Sequence, residues 1–379
     1  MRILISNHAL DERAGTELYV RDIALALLAR GHEPIVYSRR LGAVARELRD
    51  AAVPTLDDLS KLGRPPDLIH AQHHLETMTA LARFPEVPAL YVCHGWLPPE
   101  EAPPRHPRIQ RYVAVDELVQ QRLIDECGID PALVDVHLNF VDLDRFPRRK
   151  PLPARPRRAL VFSNYLGDDN HLPVLRAACE RVGLELDAIG RSSGNVAARP
   201  EEVLGRYDLV FAKARAALEA ASVGAAVVLC DVAGLGPLVT ADEFDRLRAF
   251  NLGARLLREP VTIERVVAQI NRYDPEDAAE VTRRLRREAG LDLSVDRLIA
   301  TYGAVLEKAK GRSVSLEDES QAVARYLRWG PLVGGEVHGA ERELLLSQVA
   351  QERQRVATLR TALEAVRVEN EELEAQAAS

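Results

Sequence analysis

The sequence predicts an α/β protein with two Rossmann-like domains that face each other across a cleft, followed by a C-terminal coiled-coil helix. Short apolar runs alternate with helical spacing in two successive series, and a basic, proline-rich segment separates the two. The last part of the chain carries a heptad pattern. At 379 residues the chain is too long for one comfortable core, and it fits two domains with an appendage.

The first domain is predicted over residues 1–150. It opens with a β-branched strand at Arg2–Ser6, a polar loop, and a helix whose apolar side chains recur at helical spacing. Gly31 ends this helix, and a second strand completes a βαβ unit. The later strands are predicted at Pro34–Ser38, Asp67–His70, Ala89–His94, Tyr112–Val115 and Val134–Leu138. This alternation is typical of an open parallel sheet that is covered on both faces.

A segment rich in proline and basic residues, 145–158, is predicted to be the interdomain linker. Prolines favour extended geometry and like charges keep the segment solvated, although a basic patch that meets a phosphorylated substrate or an anionic lipid is the alternative. The second domain is predicted over residues 151–310. Its strands are Ala159–Ser163, Leu184–Ile189, Leu209–Phe211 and Ala226–Cys230, and its helices are Leu172–Val182, Ala216–Val223, Ile263–Arg272 and Val295–Lys308.

The end of the chain differs in kind from the two domains. Residues 311–340 are predicted to be a linker, and residues 341–379 a coiled-coil tail in which Asn370 takes a core position and Glu352 interrupts the pattern. We expect self-association, or pairing with another helix, through residues 341–376. The alternative is a helix that docks on its own protein.

Composition excludes several classes of protein. The net charge of −7 and the aromatic content of 5% argue against nucleic-acid binding and against a groove that stacks sugars on aromatic rings. The four scattered cysteines argue against a zinc site or a disulfide framework and favour the cytoplasm. Because no apolar run reaches about 18 residues, we expect peripheral membrane contact at most.

Several motifs follow one another in an order that is similar to a known family. They include the loop and helix from Gly15 to Glu33, the segments Asp67–His73 and Cys93–Gly95, the stretch Asn139–Phe146, and the helix and strand Glu219–Val228. Over about residues 1–310 the chain resembles the retaining glycosyltransferases of the GT-B fold, family-4-like (glycosyltransferase group 1 type). The resemblance implies that the first domain, residues 1–150, binds the acceptor and that the second, residues 151–310, binds the nucleotide-sugar donor across the cleft between them.

The resemblance also implies roles for individual residues. Glu219 would accept hydrogen bonds from the ribose hydroxyls of the donor, and His94 would be the active-site histidine. Gly234 and Gly236 would lie in a loop close to the donor, and Asn164 in the loop that opens the second domain would also bind it. The alternatives without a role in binding are that Glu219 only complements its helix dipole and that His94 is only structural.

Charge and helix position give an independent argument for an anion site. Lys213 and Arg215 follow a strand and precede a helix, so two cations and a helix N-terminus can meet the diphosphate that departs in sugar transfer. Solvated loop charges are the alternative. Gly15 and Thr16 begin the first helix, and their backbone is expected to approach phosphate or sugar unless they form a plain helix cap.

The sequence departs from the family at three places. Phe211 stands where the family has a first glutamate, and Phe140 replaces an expected glycine. The loop 163–171 lacks the usual arginine and lysine and instead carries Asp168 and Asp169. Either Lys213 and Arg215 compensate for the missing arginine and lysine of this loop, or donor recognition has changed or been lost.

The sequence therefore predicts a cytoplasmic hexosyltransferase that moves a sugar from a nucleotide diphosphate to a glycan or lipid-linked, cell-envelope acceptor, as in polysaccharide biosynthesis. Retention is implied by the resemblance. No metal and no further cofactor is expected, because His70, His73 and His74 have no accompanying carboxylate cluster. The alternatives are a catalytically weakened nucleotide-sugar or glycan-binding module that assembles through its coiled coil, and a sugar-nucleotide epimerase of the same fold.

Overall fold

The computed structural model describes residues 1–95, 99–197 and 199–329. The chain divides into two compact units, residues 1–314 and 315–379. The first unit contains both predicted Rossmann-like domains. The predicted coiled coil lies outside the described residues, and a helix occupies part of the segment that we predicted as a linker before it.

The first sheet has seven strands, all of them parallel. They are β1 (Arg2–Ser6), β2 (Glu33–Tyr37), β3 (Thr55–Leu56), β4 (Leu68–Ala71), β5 (Ala89–Cys93), β6 (Ile109–Ala114) and β7 (Val134–Val136). The strand order is β3-β2-β1-β4-β5-β6-β7. The order reverses between β1 and β4, which is where open α/β sheets bind ligands. The two-residue strand β3 is too short to be recognised from apolar spacing.

The second sheet has five strands in the order β12-β11-β10-β8-β9. They are β8 (Arg158–Phe162), β9 (Glu185–Ile189), β10 (Leu209–Ala212), β11 (Ala226–Asp231) and β12 (Gly234–Leu238). Strand β12 is antiparallel to β11, and the other pairs are parallel. The α/β fold of two Rossmann-like domains is confirmed.

Strand β12 is the segment that we predicted as a loop, and its glycines have a packing reason. A Cβ at Gly234 would lie 2.8 Å from the carbonyl oxygen of Glu259, and one at Gly236 would lie 2.9 Å from the Cβ of Leu229. Gly234 also has φ +141°, which side-chain-bearing residues rarely adopt. Glycine is therefore required here by the close approach of neighbouring backbone.

The described residues contain eleven α-helices, of which the first ten belong to the first unit and the last to the second. They are α1 (Gly15–Ala29), α2 (Ala43–Asp50), α3 (His74–Arg83), α4 (Glu117–Gln121), α5 (Leu172–Arg181), α6 (Ala214–Val223), α7 (Phe244–Ala249), α8 (Ile263–Ile270), α9 (Pro275–Glu288), α10 (Leu291–Ala309) and α11 (Leu316–Trp329). None of the helices in the described part of the chain is long and apolar enough to cross a bilayer.

The second sheet has an apolar cluster on each of its faces. Val210 and Leu229 belong to one cluster together with α6 and α9, whereas Phe211 and Val228 belong to the other together with α5 and α8. Phe211 is fully buried. The position that holds a glutamate in the resembling family is therefore part of the core in this protein.

Helix α10 lies within the residues predicted as the second domain but contacts α1, β5 and β6 of the first domain. The hydroxyl of Tyr302 lies 2.6 Å from Nδ1 of His70, and both side chains are buried. Arg30 forms ion pairs with Asp292 and Asp296 at the start of α10, at 2.6 and 3.2 Å. The domain boundaries drawn from the sequence remain a prediction, and the first sheet is completed by a helix from residues assigned to the second domain.

Candidate active site

The carboxyl ends of strands in the two sheets lead into segments that contact each other. Glu12 in the loop after β1 forms an ion pair with Arg191, which follows β9. Asp22 on α1 binds Arg215 on α6. The loop after β1 and helix α1 thus meet the loop after β9 and helix α6, and the predicted site residues Gly15, Thr16, Arg215 and Glu219 belong to these two helices.

Arg215 lies at the centre of a buried ion-pair network. Its Nη2 donates to Asp22 of the first domain, and its Nε donates to Oε1 of Glu219 one turn along α6, at 2.8 Å. Asp22 also accepts two hydrogen bonds from Arg21, at 2.9 Å from Nε and 2.6 Å from Nη2. The Asp22 side chain is 3% exposed and that of Arg215 18%. Two carboxylates therefore already neutralise the cation that we expected to meet a diphosphate.

Burial and charge shift the pKa values in this network. Burial raises the pKa of Glu219, and the Arg215 guanidinium opposes that rise. Burial also acts to raise the pKa of Asp22, but Arg215 and Arg21 outweigh it and lower the pKa below the ordinary aspartate range. Arg215 has a raised pKa because Asp22 and Glu219 overcome its own desolvation. The network is held together by charge in a place where unpaired charges would be costly.

Lys213 precedes α6 and is also paired. Its Nζ lies 2.5 Å from Oδ2 of Asp231, a carboxylate at the end of β11 that is 1% exposed, and 5.2 Å from the centre of the Tyr165 ring. The hydroxyl of Ser163 donates to the other oxygen of Asp231, at 2.9 Å. This arrangement joins the ends of β8, β10 and β11. The next residue, Ala214, has φ +49°, a left-handed conformation that costs free energy in a residue other than glycine.

The loop after β8 is built by hydrogen bonds within the second domain. Asn164 accepts from the backbone N–H of Arg191, at 3.2 Å, and its carbonyl accepts from the hydroxyl of Ser192, at 2.9 Å. Asp168 forms an exposed ion pair with Arg176, and Oδ1 of Asp169 accepts from Asn170 at 3.0 Å. The negative charge predicted for this loop is therefore partly offset by a neighbouring arginine.

Gly15 and Thr16 occupy the first two positions of α1. Among the described residues no side chain caps this helix, and, apart from its chain neighbours and its own helix backbone, no atom lies within 4 Å of the point where a Cβ of Gly15 would stand. The hydroxyl of Thr16 donates to Glu17 at 3.1 Å. The space at Gly15 fits the predicted approach of a ligand to the backbone, because the first N–H groups of a helix have no partner within it.

His94 follows β5 at the carboxyl edge of the first sheet. Its ring lies edge-on to Tyr19, with the centroids 4.5 Å apart, and its Nε2 is buried without a hydrogen-bond partner among the described residues. Burial, assisted by His70, lowers its pKa to about 3. The imidazole is therefore neutral at physiological pH and retains one ring nitrogen for a ligand.

Glu101 supports the backbone of His94. Its Oε2 accepts from the His94 N–H at 2.8 Å, and its Oε1 lies 3.6 Å from Nε2 of His73. Burial raises the pKa of Glu101 to about 7 and lowers that of His73 to about 3. A carboxyl group that titrates near neutrality thus adjoins the expected active-site histidine.

The structure brings Arg215 and Glu219 together and places Lys213 two residues before Arg215, at the N-terminus of α6. Gly15, Thr16 and His94 lie on the first domain, and Asn164 lies on the loop after β8. Gly234 and Gly236 are buried within strand β12. The roles of these residues stay predictions. Among the described residues no group of three or more histidine, cysteine, aspartate and glutamate side chains is arranged to hold a metal ion.

Sequence reasoning missed two carboxylates of the site, Asp22 and Asp231. Asp231 directly follows the apolar run of β11, so its place at the carboxyl edge of the sheet was a usable signal. Asp22 is a charged residue between Val20 and Ile23 on the apolar face of α1. A charge in such a stripe indicates a buried partner, but the spacing alone does not identify Arg215 as that partner.

Comparison with known proteins finds a family model and solved structures that this chain resembles. The model of Glycosyltransferase Family 4 matches residues 13–145. A comparison with curated protein sequences finds no significant match. The fold is similar to that of a glycosyltransferase from Rickettsia africae (14% identity, 82% of this chain and 99% of the other, TM-score 0.61).

Two further solved structures share the fold. One is Anabaena HepE, solved in complex with UDP and glucose (16% identity, 80% of this chain and 99% of the other, TM-score 0.56). The other is the sucrose-phosphate synthase of Thermosynechococcus elongatus (14% identity, 81% and 99%, TM-score 0.55). The resemblance to GT-B glycosyltransferases of the family-4-like group is thereby confirmed.

Proposed function

We propose that this protein is a glycosyltransferase that takes a sugar from a nucleotide diphosphate and transfers it to a glycan or lipid-linked acceptor. The observation that carries the proposal is the charged group at the N-terminus of α6, which faces helix α1 of the domain matched by the family-4 model. HepE, a protein of similar fold, was solved with UDP and glucose. A nucleotide sugar is thus the donor class that we assign to the junction.

The departing diphosphate is expected to bind at the start of α6. Negative charge develops there during transfer, and the backbone N–H groups of a ten-residue helix together with Lys213 stabilise it. Asp22 and Glu219 hold Nη2 and Nε of Arg215, and we expect Arg215 to join the helix N–H groups by exchanging a carboxylate for phosphate oxygens. Donor binding is therefore a partner exchange, with Glu219 released to meet the ribose hydroxyls.

His94 contributes a neutral imidazole to the other side of the junction. Its Nε2, which has no hydrogen-bond partner in the part of the chain that the structure describes, is suited to a hydrogen bond with a hydroxyl of the donor sugar, and Glu101 fixes the backbone that carries it. Holding the acceptor hydroxyl, the anomeric carbon and the leaving phosphate together in a water-poor junction lowers the barrier mainly by orientation.

The finer assignments belong to the same proposal. We assign a hexosyl donor, retention of configuration, a reaction without a metal ion or further cofactor, and action in the cytoplasm without nucleic-acid partners. The tail through residues 341–376 is assigned to self-association or to a helical partner. Each of these rests on the sequence arguments above.

A second function is favoured by one specific observation. Phe211 lies in the core in place of a glutamate, and the cations Lys213 and Arg215 are both engaged by carboxylates. A protein that binds a nucleotide sugar or glycan without efficient transfer, and that assembles through its tail, has these features.

The two functions are separated by titrating UDP and measuring turnover of UDP-sugars. We expect wild-type protein to bind UDP and to consume a donor, and Lys213→Ala to lose about tenfold in affinity, since one charge-assisted contact is worth about 1.4 kcal/mol. Lys61→Ala is the matched control, because that lysine forms an exposed pair with Asp57. Binding without turnover favours the second function. UDP binding that is unaffected by Lys213→Ala contradicts the glycosyltransferase function proposed first.

A further inference from the structure

Three side chains at the carboxyl edge of the first sheet carry buried polar atoms with no hydrogen-bond partner among the described residues. These atoms are Oδ1 of Asn7, both amide atoms of Gln72, and Oε2 of Glu76. Asn7 and Gln72 are completely buried, and Glu76 is 1% exposed. Buried polar groups in folded proteins are nearly always paired, so this group of four atoms requires an explanation.

The three residues are neighbours in the fold. Strands β1 and β4 are parallel, with Ile5 opposite His70, and Asn7 and Gln72 each follow two residues later. The hydroxyl of Ser6 donates to the carbonyl of Gln72 at 3.1 Å, which joins the two strand ends. Both residues therefore stand at the same level of the sheet edge.

Glu76 reaches the same place from the first turn of α3, the helix that follows β4. Nδ1 of His8, the residue after Asn7, lies 3.8 Å from Oε1 of Glu76. The N–H of His8 donates to Nδ1 of His73 at 3.1 Å, which ties the loop after β1 to the start of α3. The His8 side chain is 33% exposed, so the group borders solvent on that side.

The chemistry of the free atoms selects the ligand. Three of them accept hydrogen bonds, namely Oδ1 of Asn7, Oε1 of Gln72 and Oε2 of Glu76, whereas only Nε2 of Gln72 donates. Arg39 engages the other oxygen of Glu76 at 2.9 Å and leaves Oε2 unpaired. A phosphate or carboxylate offers acceptors alone and is repelled by Glu76, whereas hydroxyl groups supply the donors that these atoms lack.

We propose that Asn7, Gln72 and Glu76 bind an uncharged, hydroxyl-rich group, and that this is the acceptor site of the transferase. The inference rests on the proposed function, and it narrows the acceptor to a sugar or another polyol whose recognised part carries no phosphate. His94, at the end of the neighbouring strand β5, lies at the same sheet edge, so an acceptor hydroxyl held here faces the junction with the second domain.

The test uses the full-length protein without nucleotide and the variant Gln72→Met. Methionine keeps the length of the side chain and removes both unpaired atoms, and such a replacement is expected to leave the melting temperature unchanged or to raise it. Binding of D-glucose, D-galactose, myo-inositol and D-glucose 6-phosphate is measured by saturation-transfer NMR. We expect wild type to bind at least one of the three neutral polyols, and Gln72→Met to bind it about tenfold more weakly.

A second variant and a control make the result specific. Glu76→Gln is expected to keep neutral-polyol binding and to improve binding of D-glucose 6-phosphate relative to the neutral compounds, because the repelling charge is removed. Gln110→Met is the matched control, since that glutamine donates to the Pro107 carbonyl away from the group, and it is expected to bind like wild type.

Three outcomes overturn the inference. In the first, the wild type binds none of the neutral polyols. In the second, Gln72→Met binds them as the wild type does. In the third, Gln72→Met has a lower melting temperature but still binds polyols, which indicates that the unpaired atoms hold only bound water. UDP titration of the same proteins keeps the two proposals apart. Loss of polyol binding in Gln72→Met with normal UDP affinity supports this site. Wild type that binds a polyol but not UDP counts against the proposed function and against the assignment as an acceptor site, while the polyol site itself stands.

Discussion

The carboxyl edges of the two sheets differ in how their polar groups are satisfied. At the first sheet, His94 is neutral, and its Nε2 has no hydrogen-bond partner among the described residues, as is true of atoms of Gln72 and Glu76. At the second sheet, Lys213 and Arg215 are charged and engaged by carboxylates. The first edge is prepared to gain a ligand, whereas the second edge must exchange one partner for another.

This difference links donor binding to the relation between the domains. Asp22, which holds Arg215, belongs to helix α1 of the first domain. On the function proposed above, a diphosphate that takes Arg215 from Asp22 would break a contact across the junction, and separation of the domains would release Arg215 from Asp22. The two events are coupled in the thermodynamic sense, since each one favours the other.

The largest expected effect comes from removing a charged side chain at the carboxyl edge of the second sheet, where the charges are paired. Arg215→Met leaves the buried Glu219 without its hydrogen-bonded cation and leaves Asp22 with Arg21 alone, and we expect a loss of about 3 kcal/mol in the free energy of unfolding. Urea denaturation measures it. Arg176→Met removes an exposed partner of Asp168 and is the control, with an expected loss below about 1 kcal/mol. Similar losses for both variants would show that the network is not effectively buried.

The next effect concerns the neutral histidines and depends on pH. Burial lowers the pKa of His70, His73 and His94 to about 3, so between pH 6.5 and 3 the unfolded chain binds these protons and the folded chain does not. Their contribution to stability is complete above pH 6.5 and is lost as the pH falls. Glu101, whose pKa burial raises to about 7, acts in the opposite sense and stabilises the fold at low pH.

Together these four groups take up about two protons on unfolding near pH 5.5, which corresponds to about 3 kcal/mol per pH unit. Denaturant titrations from pH 6.5 to 5 measure the slope. His70→Gln is expected to reduce the number of protons taken up on unfolding by about one, and the slope falls accordingly. A stability that stays constant over this range would contradict the neutral state of the histidines.

A smaller effect tests whether a bound diphosphate replaces Asp22 as the partner of Arg215. Asp22→Asn weakens the competitor for Arg215, and we expect the affinity for UDP to rise about tenfold, or about 1.4 kcal/mol, by isothermal titration calorimetry. Asp57→Asn, at an exposed pair with Lys61, is the control and leaves the affinity unchanged. Weaker binding by Asp22→Asn would instead mean that Asp22 orients Arg215 for the donor.

The smallest effect tests the backbone strain at Ala214, at the carboxyl edge of the second sheet. Ala214 has φ +49°, and Ala214→Gly removes the strain of that conformation at a smaller entropic cost, for a net gain of at most about 1 kcal/mol. Ala216→Gly, two residues further along α6, is the matched control and is expected to lose about 1 kcal/mol. Thermal unfolding compares the two variants, and a loss in both would contradict the strain.

Apolar spacing was enough to predict strands such as β4, β5 and β10, because each is a short buried run with clear ends. It predicted the strand-end positions of His94 and Lys213 for the same reason. It could not predict that Asp22 holds Arg215, since the two residues are 193 positions apart and meet only when the domains pack. Strand β12 was missed because its glycines indicate a turn, although close backbone contacts explain them.

Helix α10 sets the order in which the chain can complete its fold. His70 finds its partner in Tyr302, 232 residues later, so a ribosome must release nearly all of the first 309 residues before the first domain acquires its last helix. Contacts that span such a distance form late. Until then, the face of the first sheet that receives Tyr302 is exposed on the nascent chain, and a truncation before Leu291 would leave it so permanently.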